Sequence, residues 1–196
     1  MVNFLTLDGE GMVIAIIIGV FILLLGGVYG PFFLAVIVLF LAFSAIVTNI
    51  GMGMKKRIKV YEERRGWKNV IANGIVPLAI VLAYFIGHLY SIALIIAYIA
   101  SVAGTTADKF ASELGVLGDT PVSIITFKKV KKGVSGGVTA LGTISSFIGA
   151  SLIGLSATSI NLPPNYVVVI AVAGFLGAII DSLHLSLFST FLQLYM

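Results

Sequence analysis

Six apolar runs dominate this sequence, at about residues 11–29, 31–50, 70–87, 89–106, 138–158 and 166–190. A run of about 20 apolar residues is long enough to cross the ~30 Å hydrocarbon core of a bilayer as a helix. Inside that core no water bonds the backbone, so each run must satisfy its own N–H and C=O groups. The sequence therefore predicts an all-α, polytopic integral membrane helix bundle of about six transmembrane helices, one domain over residues 1–196. Composition agrees: 59% of residues are hydrophobic and 10% charged, against an apolar share of roughly 45–50% in soluble domains. Mean hydropathy is +1.14. With no cysteine, disulfides and thiolate metal sites are excluded. The first run follows Asp8 and Glu10 rather than a basic segment, so it reads as a span and not as a cleavable signal.

Charge separates the connections into two kinds. The turns at Gly30-Pro31, at Gly87-His88 and at "NLPPNY" with Pro163-Pro164 carry no Lys or Arg. Residues 51–69 hold seven, and residues 107–137 hold the remaining five of the chain's 12. With six spans both basic connections fall on one face. The positive-inside rule places that face, and both termini, in the cytoplasm. The expectation is an integral protein of the cell membrane with its active face cytoplasmic. Clustered charge of this kind points to topology and anionic partners, with no fold signature of a nucleic-acid binder.

Three constellations could carry chemistry. The first is "TTADKFASELGVLGDTP". Asp108 and Glu113 come at the end of an apolar span, where carboxylates are costly unless paired, hydrated or metal-bound. If the helix continues, Asp108, Ser112 and Gly115 share a face at i, i+4 and i+7. Lys109 and Glu113 are also i, i+4, in the less favourable order for an ion pair. Asp108 and Glu113 would stand about 140° apart, so a straight helix cannot bring both to one ion. Either the helix breaks near Ser112 or the acids serve different ligands. The bland reading is a pair of interfacial charges in water.

The second is "FKKVKKGVSGGVTALGT". Lys128, Lys129, Lys131 and Lys132 supply charge, and Gly133, Gly136 and Gly137 expose N–H groups and allow positive φ. Ser135 and Thr139 add hydroxyls beside the N-terminus of the next helix, an end that favours anions. This is the physical recipe of a phosphate-binding loop, without the P-loop spacing. A plain positive-inside anchor explains the lysines fully and the glycines poorly.

The third is "VAGFLGAIIDSLHLS", in which Asp181 is a lone acid in an apolar run. Gly177 and Ala173 lie one and two turns before it, a small-residue stripe leading to the acid. An intramembrane acid is a functional candidate by default; a helix-packing hydrogen bond weighs about evenly against it. His184, at i+3, reads better as packed or interfacial than as a ligand. In "RRGWKNVIANG", Arg64, Arg65 and Lys68 flank Trp67, and Asn69 and Asn73 enter the third span. They read either as an interfacial aromatic with snorkelling cations or as a second anion clamp.

Together these residues resemble the membrane-protein family of the plant phytyl-phosphate kinases and the animal transmembrane protein 19. "RRGWKNVIANG" looks like the family's Arg-x-x-Trp-x-x-x-x-Ala-Asn-Gly stretch. Asp108, Ala111, Ser112, Glu113 and Gly115 resemble its Asp-x-x-Ala-Ser-Glu-x-Gly motif. Gly133, Ser135, Gly136, Gly137, Val138, Gly142 and Thr143 resemble its Gly-x-Ser-Gly-Gly-Val-x-x-x-Gly-Thr motif. Gly177, Asp181 and Ser182 resemble its final Gly-x-x-x-Asp-Ser motif. The likeness covers about residues 50–190.

The resemblance implies phosphoryl transfer from a nucleoside triphosphate, with CTP favoured, to an isoprenyl monophosphate, giving the diphosphate. It implies that Asp108, Glu113 and Asp181 hold Mg²⁺, directly or through water. Lys128, Lys129, Lys131, Lys132 and the Gly133–Gly137 turn would bind the nucleotide phosphates. Arg64, Arg65, Lys68 and Asn73 would meet the acceptor phosphate. The residues suit such chemistry, which is mostly positioning and charge neutralisation. Membrane lipids are further partners, and six short-looped spans are compatible with a homodimer. The competing readings are a small-solute or ion transporter, for which no inverted repeat is visible, and a non-catalytic protein whose basic loops meet lipid headgroups.

Overall fold

In the computed structural model, residues 7–61, 66–87, 91–134 and 136–195 are described, with side chains through residue 187. The helices are α1 (Gly9–Leu25), α2 (Gly30–Asn49), α3 (Met52–Arg57), α4 (Trp67–Ile86), α5 (Ile92–Gly115), α6 (Ala140–Gly154) and α7 (Pro164–Tyr195). Two short strands, β1 (Val122–Ser123) and β2 (Gly137–Val138), pair antiparallel between α5 and α6. Among the described residues five segments are long and apolar enough to span a bilayer, and α1 is a shorter apolar helix. The all-α membrane bundle stands.

The boundaries follow from local chemistry. The Asp8 carboxylate accepts the Gly11 N–H at 2.7 Å and starts α1. Between α1 and α2 the chain reverses in a few residues, and a Cβ on Gly30 would lie 2.1 Å from the Leu23 carbonyl oxygen. Pro31 then occupies the first turn of α2, where its missing N–H costs nothing. Pro164 does the same for α7, directly after Pro163 and the turn at Asn161, φ +57°.

α5 is the centre of the bundle, packing on α2, α4, α6 and α7, while α1 packs on α2 and α4. At one end an aromatic core closes the helices. Tyr98 and Phe33 lie 4.3 Å apart between ring centroids, with Tyr84 set edge-on to Phe33. The buried Tyr98 hydroxyl donates to the Phe33 carbonyl at 2.6 Å.

The opposite end is polar, and there the two basic connections meet. A Cβ on Gly133 would lie 2.6 Å from Val60 of the first connection. The α5–α7 crossing is set by small residues: a Cβ on Gly174 would meet Ala103 Cβ at 2.7 Å and the Gly104 nitrogen at 3.0 Å. The expected stripe of Ala173 and Gly177 is displaced by this. Both residues are exposed, and nothing stands within 4 Å of a Cβ on Gly177.

Candidate functional site

A cavity of about 270 Å³ opens at the polar end between α5, α6, α7 and the segment from Pro121 to Val138. α5 runs unbroken to Gly115, which decides how its acids are used. The i, i+4, i+7 face carrying Asp108, Ser112 and Gly115 turns into the cavity. Glu113, about 140° round the helix, turns away from it.

On that other side Glu113 is fully engaged. Its Oε2 accepts from Lys55 Nζ at 2.8 Å, and its Oε1 accepts from Thr48 Oγ1 at 3.1 Å and from Lys109. Lys55 is 0% exposed. Its two remaining protons go to the Val47 and Thr48 carbonyls at 2.8 and 3.0 Å. One ammonium therefore satisfies two orphan carbonyls at the end of α2 and neutralises a carboxylate of α5. Asp108 has no hydrogen bond or ion pair among the described residues; Asp181 and Lys109 reach it only through their charges.

The segment between α5 and α6 forms the rim. Gly133, Gly136 and Gly137 all line the cavity. Gly136 sits at φ +76°, and a Cβ there would lie 2.2 Å from Ser186 Cβ on α7, so only glycine fits both the turn and the contact. Thr139 caps α6: its hydroxyl accepts the Gly142 N–H at 3.0 Å and donates to the Gly115 carbonyl at 3.1 Å. The α6 N-terminus thereby faces the cavity, with Thr143 one turn further. From α7 come Ser182 and an apolar wall of Phe175, Ala178, Ile179 and Leu185. Asp181 is exposed beside that wall.

Other residues singled out from the sequence lie elsewhere. Lys128, Lys129 and Lys131 are exposed and do not line the cavity. Lys132 folds back to donate to the Gly118 carbonyl. Lys68 is exposed, its ammonium 5.7 Å from the Trp67 ring centroid. Asn73 lines a separate cleft of about 60 Å³ with Ile18 of α1 and Phe40 of α2. Arg64, Arg65 and Ser135 lie outside the described residues. His184 is exposed.

A family model described as integral membrane protein DUF92 matches residues 2–185. The chain belongs to this family. Every cavity residue, from Asp108 to Leu185, lies within the DUF92 match. One similar relative is the uncharacterized membrane protein MJ0933 of Methanocaldococcus jannaschii, 34% identical over 183 residues, 93% of this chain and 74% of the relative. Another is Protein PGR of Arabidopsis thaliana, 32% identical over 177 residues, 76% of this chain and 62% of that protein. No solved structure matches.

Sequence reasoning missed Lys55, which it counted as one of seven equal cations. The available signal was Glu113, a carboxylate in the last turn of a span that needed a counter-charge. It also missed Ser146, Pro121 and Ile124 as cavity residues, which nothing in their local sequence marks.

A divalent cation fits the donor set at the cavity. Asp108 lines the cavity with the hydroxyls of Ser112, Thr143 and Ser182, while Asp181, exposed on α7 outside the lining, acts on Asp108 through its charge. All are hard oxygen donors, and Mg²⁺ needs only one or two carboxylates because it keeps waters and takes phosphate oxygens. Among the described residues no group of three His, Asp or Glu assembles, so the protein's own share would be this acidic pair.

Proposed function

We propose that the protein is a phosphotransferase that converts an isoprenyl monophosphate to the diphosphate, using CTP or another nucleoside triphosphate, at the cytoplasmic face of its membrane. The observation that carries this reading is the convergence of Asp108, which has no hydrogen-bond or ion-pair partner among the described residues, a glycine-rich rim, a helix N-terminus and an apolar wall on one cavity. The likeness to Protein PGR supports it. A transport site would be sought near the middle of the spans, whereas this cavity lies at their polar end.

In this reading Asp108 and Asp181 hold Mg²⁺, which neutralises phosphate charge when bound. Gly133 and Gly136 of the rim and the α6 N-terminus offer N–H groups to the triphosphate. The wall of Phe175, Ala178, Ile179 and Leu185 takes the first units of the isoprenyl chain. An oxygen of the acceptor phosphate attacks the γ-phosphorus, and the bond to the β–γ bridging oxygen breaks. A nucleoside diphosphate leaves. The attacking oxygen is already anionic, so no general base is needed. Glu113, with its oxygens held by Lys55, Lys109 and Thr48, fixes the last turn of α5 and so the position of Asp108.

The test incubates purified protein with isoprenyl monophosphate, Mg²⁺ and γ-labelled CTP and follows label into lipid diphosphate. Label should appear with wild type and vanish with Asp108→Asn. No diphosphate with any nucleoside triphosphate would overturn the activity; a fully active Asp108→Asn would overturn the site.

A further inference from the structure

The turn that follows β1 holds a bulky apolar ring in the open. Phe127 is 82% exposed and adopts φ +53°, a left-handed conformation unusual for a side chain of this size. The turn is nonetheless tightly bonded. Ser123 Oγ accepts the Thr126 N–H at 3.2 Å, and the Ser123 carbonyl accepts the Phe127 N–H at 2.9 Å. The Ser123 N–H donates to the Lys128 carbonyl at 2.9 Å, and the Val130 N–H donates to the Pro121 carbonyl at 2.9 Å. Val122 bridges Lys129. The backbone is thus built to display Phe127, at the expense of an unfavourable φ. Beside it Lys128, Lys129 and Lys131 are all exposed.

These lysines are exposed and lie outside the cavity lining, and the residue they flank is apolar. Neither feature suits a nucleotide phosphate, and both suit a charged lipid interface. There a ring enters the headgroup–acyl boundary while cations meet anionic headgroups. The level is right as well. Gly136, hydrogen-bonded to Ile124 of the same segment, packs on Ser186, at the end of the membrane-length stretch Pro164–Leu187 of α7.

We infer that Phe127 and its three lysines are a docking foot that presses the hairpin onto the anionic surface of the protein's own bilayer. Ile124, Val134 and Gly136 of the same segment line the cavity. The foot therefore holds the cavity rim at headgroup level, whatever reaction the cavity performs.

The chain has one tryptophan, which makes a clean optical test. Phe127→Trp is placed in a Trp67→Phe background and reconstituted into phosphatidylcholine vesicles with or without phosphatidylglycerol, the acyl chains brominated. Emission should be blue-shifted and quenched, more strongly with phosphatidylglycerol present. Each lysine is expected to favour the docked state about fivefold. Adding Lys128→Gln, Lys129→Gln and Lys131→Gln should return quenching to the phosphatidylcholine level. Water-like, unquenched emission in both vesicles overturns the inference. So does equal quenching in both, because the lipid charge would then play no part. Neither readout depends on catalysis.

Discussion

The two basic connections both cluster their cations and put them to opposite physical uses. The first sends its leading cation inward. Lys55 is sealed between the end of α2 and Glu113 of α5, with all three ammonium protons placed. The second leaves Lys128, Lys129 and Lys131 exposed around an exposed Phe127 and lines the cavity with its glycines and with apolar residues such as Pro121, Ile124 and Val134. A topology rule counts all these lysines alike. Burial separates a cation that closes helix ends from cations that face a charged surface.

The sharpest way to break this contrast is to remove one cation from each side. Lys55→Met takes away one of Glu113's three donors and strands the Val47 and Thr48 carbonyls. It should cost about 3–5 kcal/mol, the scale of losing one partner of a buried pair. Lys129→Met should stay within about 0.5 kcal/mol. Denaturant unfolding in detergent reads both, and equal effects would dissolve the distinction.

The two acids of α5 make the next comparison. Asp108→Asn should keep wild-type stability and lose roughly 10²–10³-fold in phosphotransfer rate, the scale of removing one group that stabilises transition-state charge. Glu113→Gln should show its main effect in the melting curve. An inactive but stable Glu113→Gln would mean that both acids act at the cavity.

Gly136→Ala comes third. The added Cβ meets Ser186 and the φ is left-handed, so about 1–3 kcal/mol of local stability should be lost. Ser186→Gly should restore part of it, because the φ penalty remains. Full rescue would show that space alone selects glycine. The smallest effect belongs to the combined Lys128→Gln, Lys129→Gln and Lys131→Gln variant. It should unfold within about 0.5 kcal/mol of wild type while losing its response to anionic lipid.

Much of this architecture was legible because apolar length and helical period are local properties. The spans read from the sequence end within a few residues of most helices. The main difference is α5, where Asp108, Lys109 and Glu113 interrupt the apolar run although the helix continues to Gly115. The same period placed Asp108, Ser112 and Gly115 on one face. It could not say where Glu113's face would land, because that depends on Lys55, 58 positions away. β1 and β2, of two residues each, leave no periodic trace. The α7 contact was misjudged for another reason. Ala171, Ala173, Gly174, Gly177 and Ala178 are spread around the helix, so small residues alone cannot select the one that touches α5.

The hydroxyl of Thr139 splices the last turn of α5 to the first turn of α6. Residues 116–138 accordingly leave and rejoin the bundle at a single knot. Their ends are already closed, so lengthening or exchanging the excursion should cost little in chain entropy. The floor beneath it, from Asp108 to Thr143, would keep its shape while the part that meets the lipid is rebuilt.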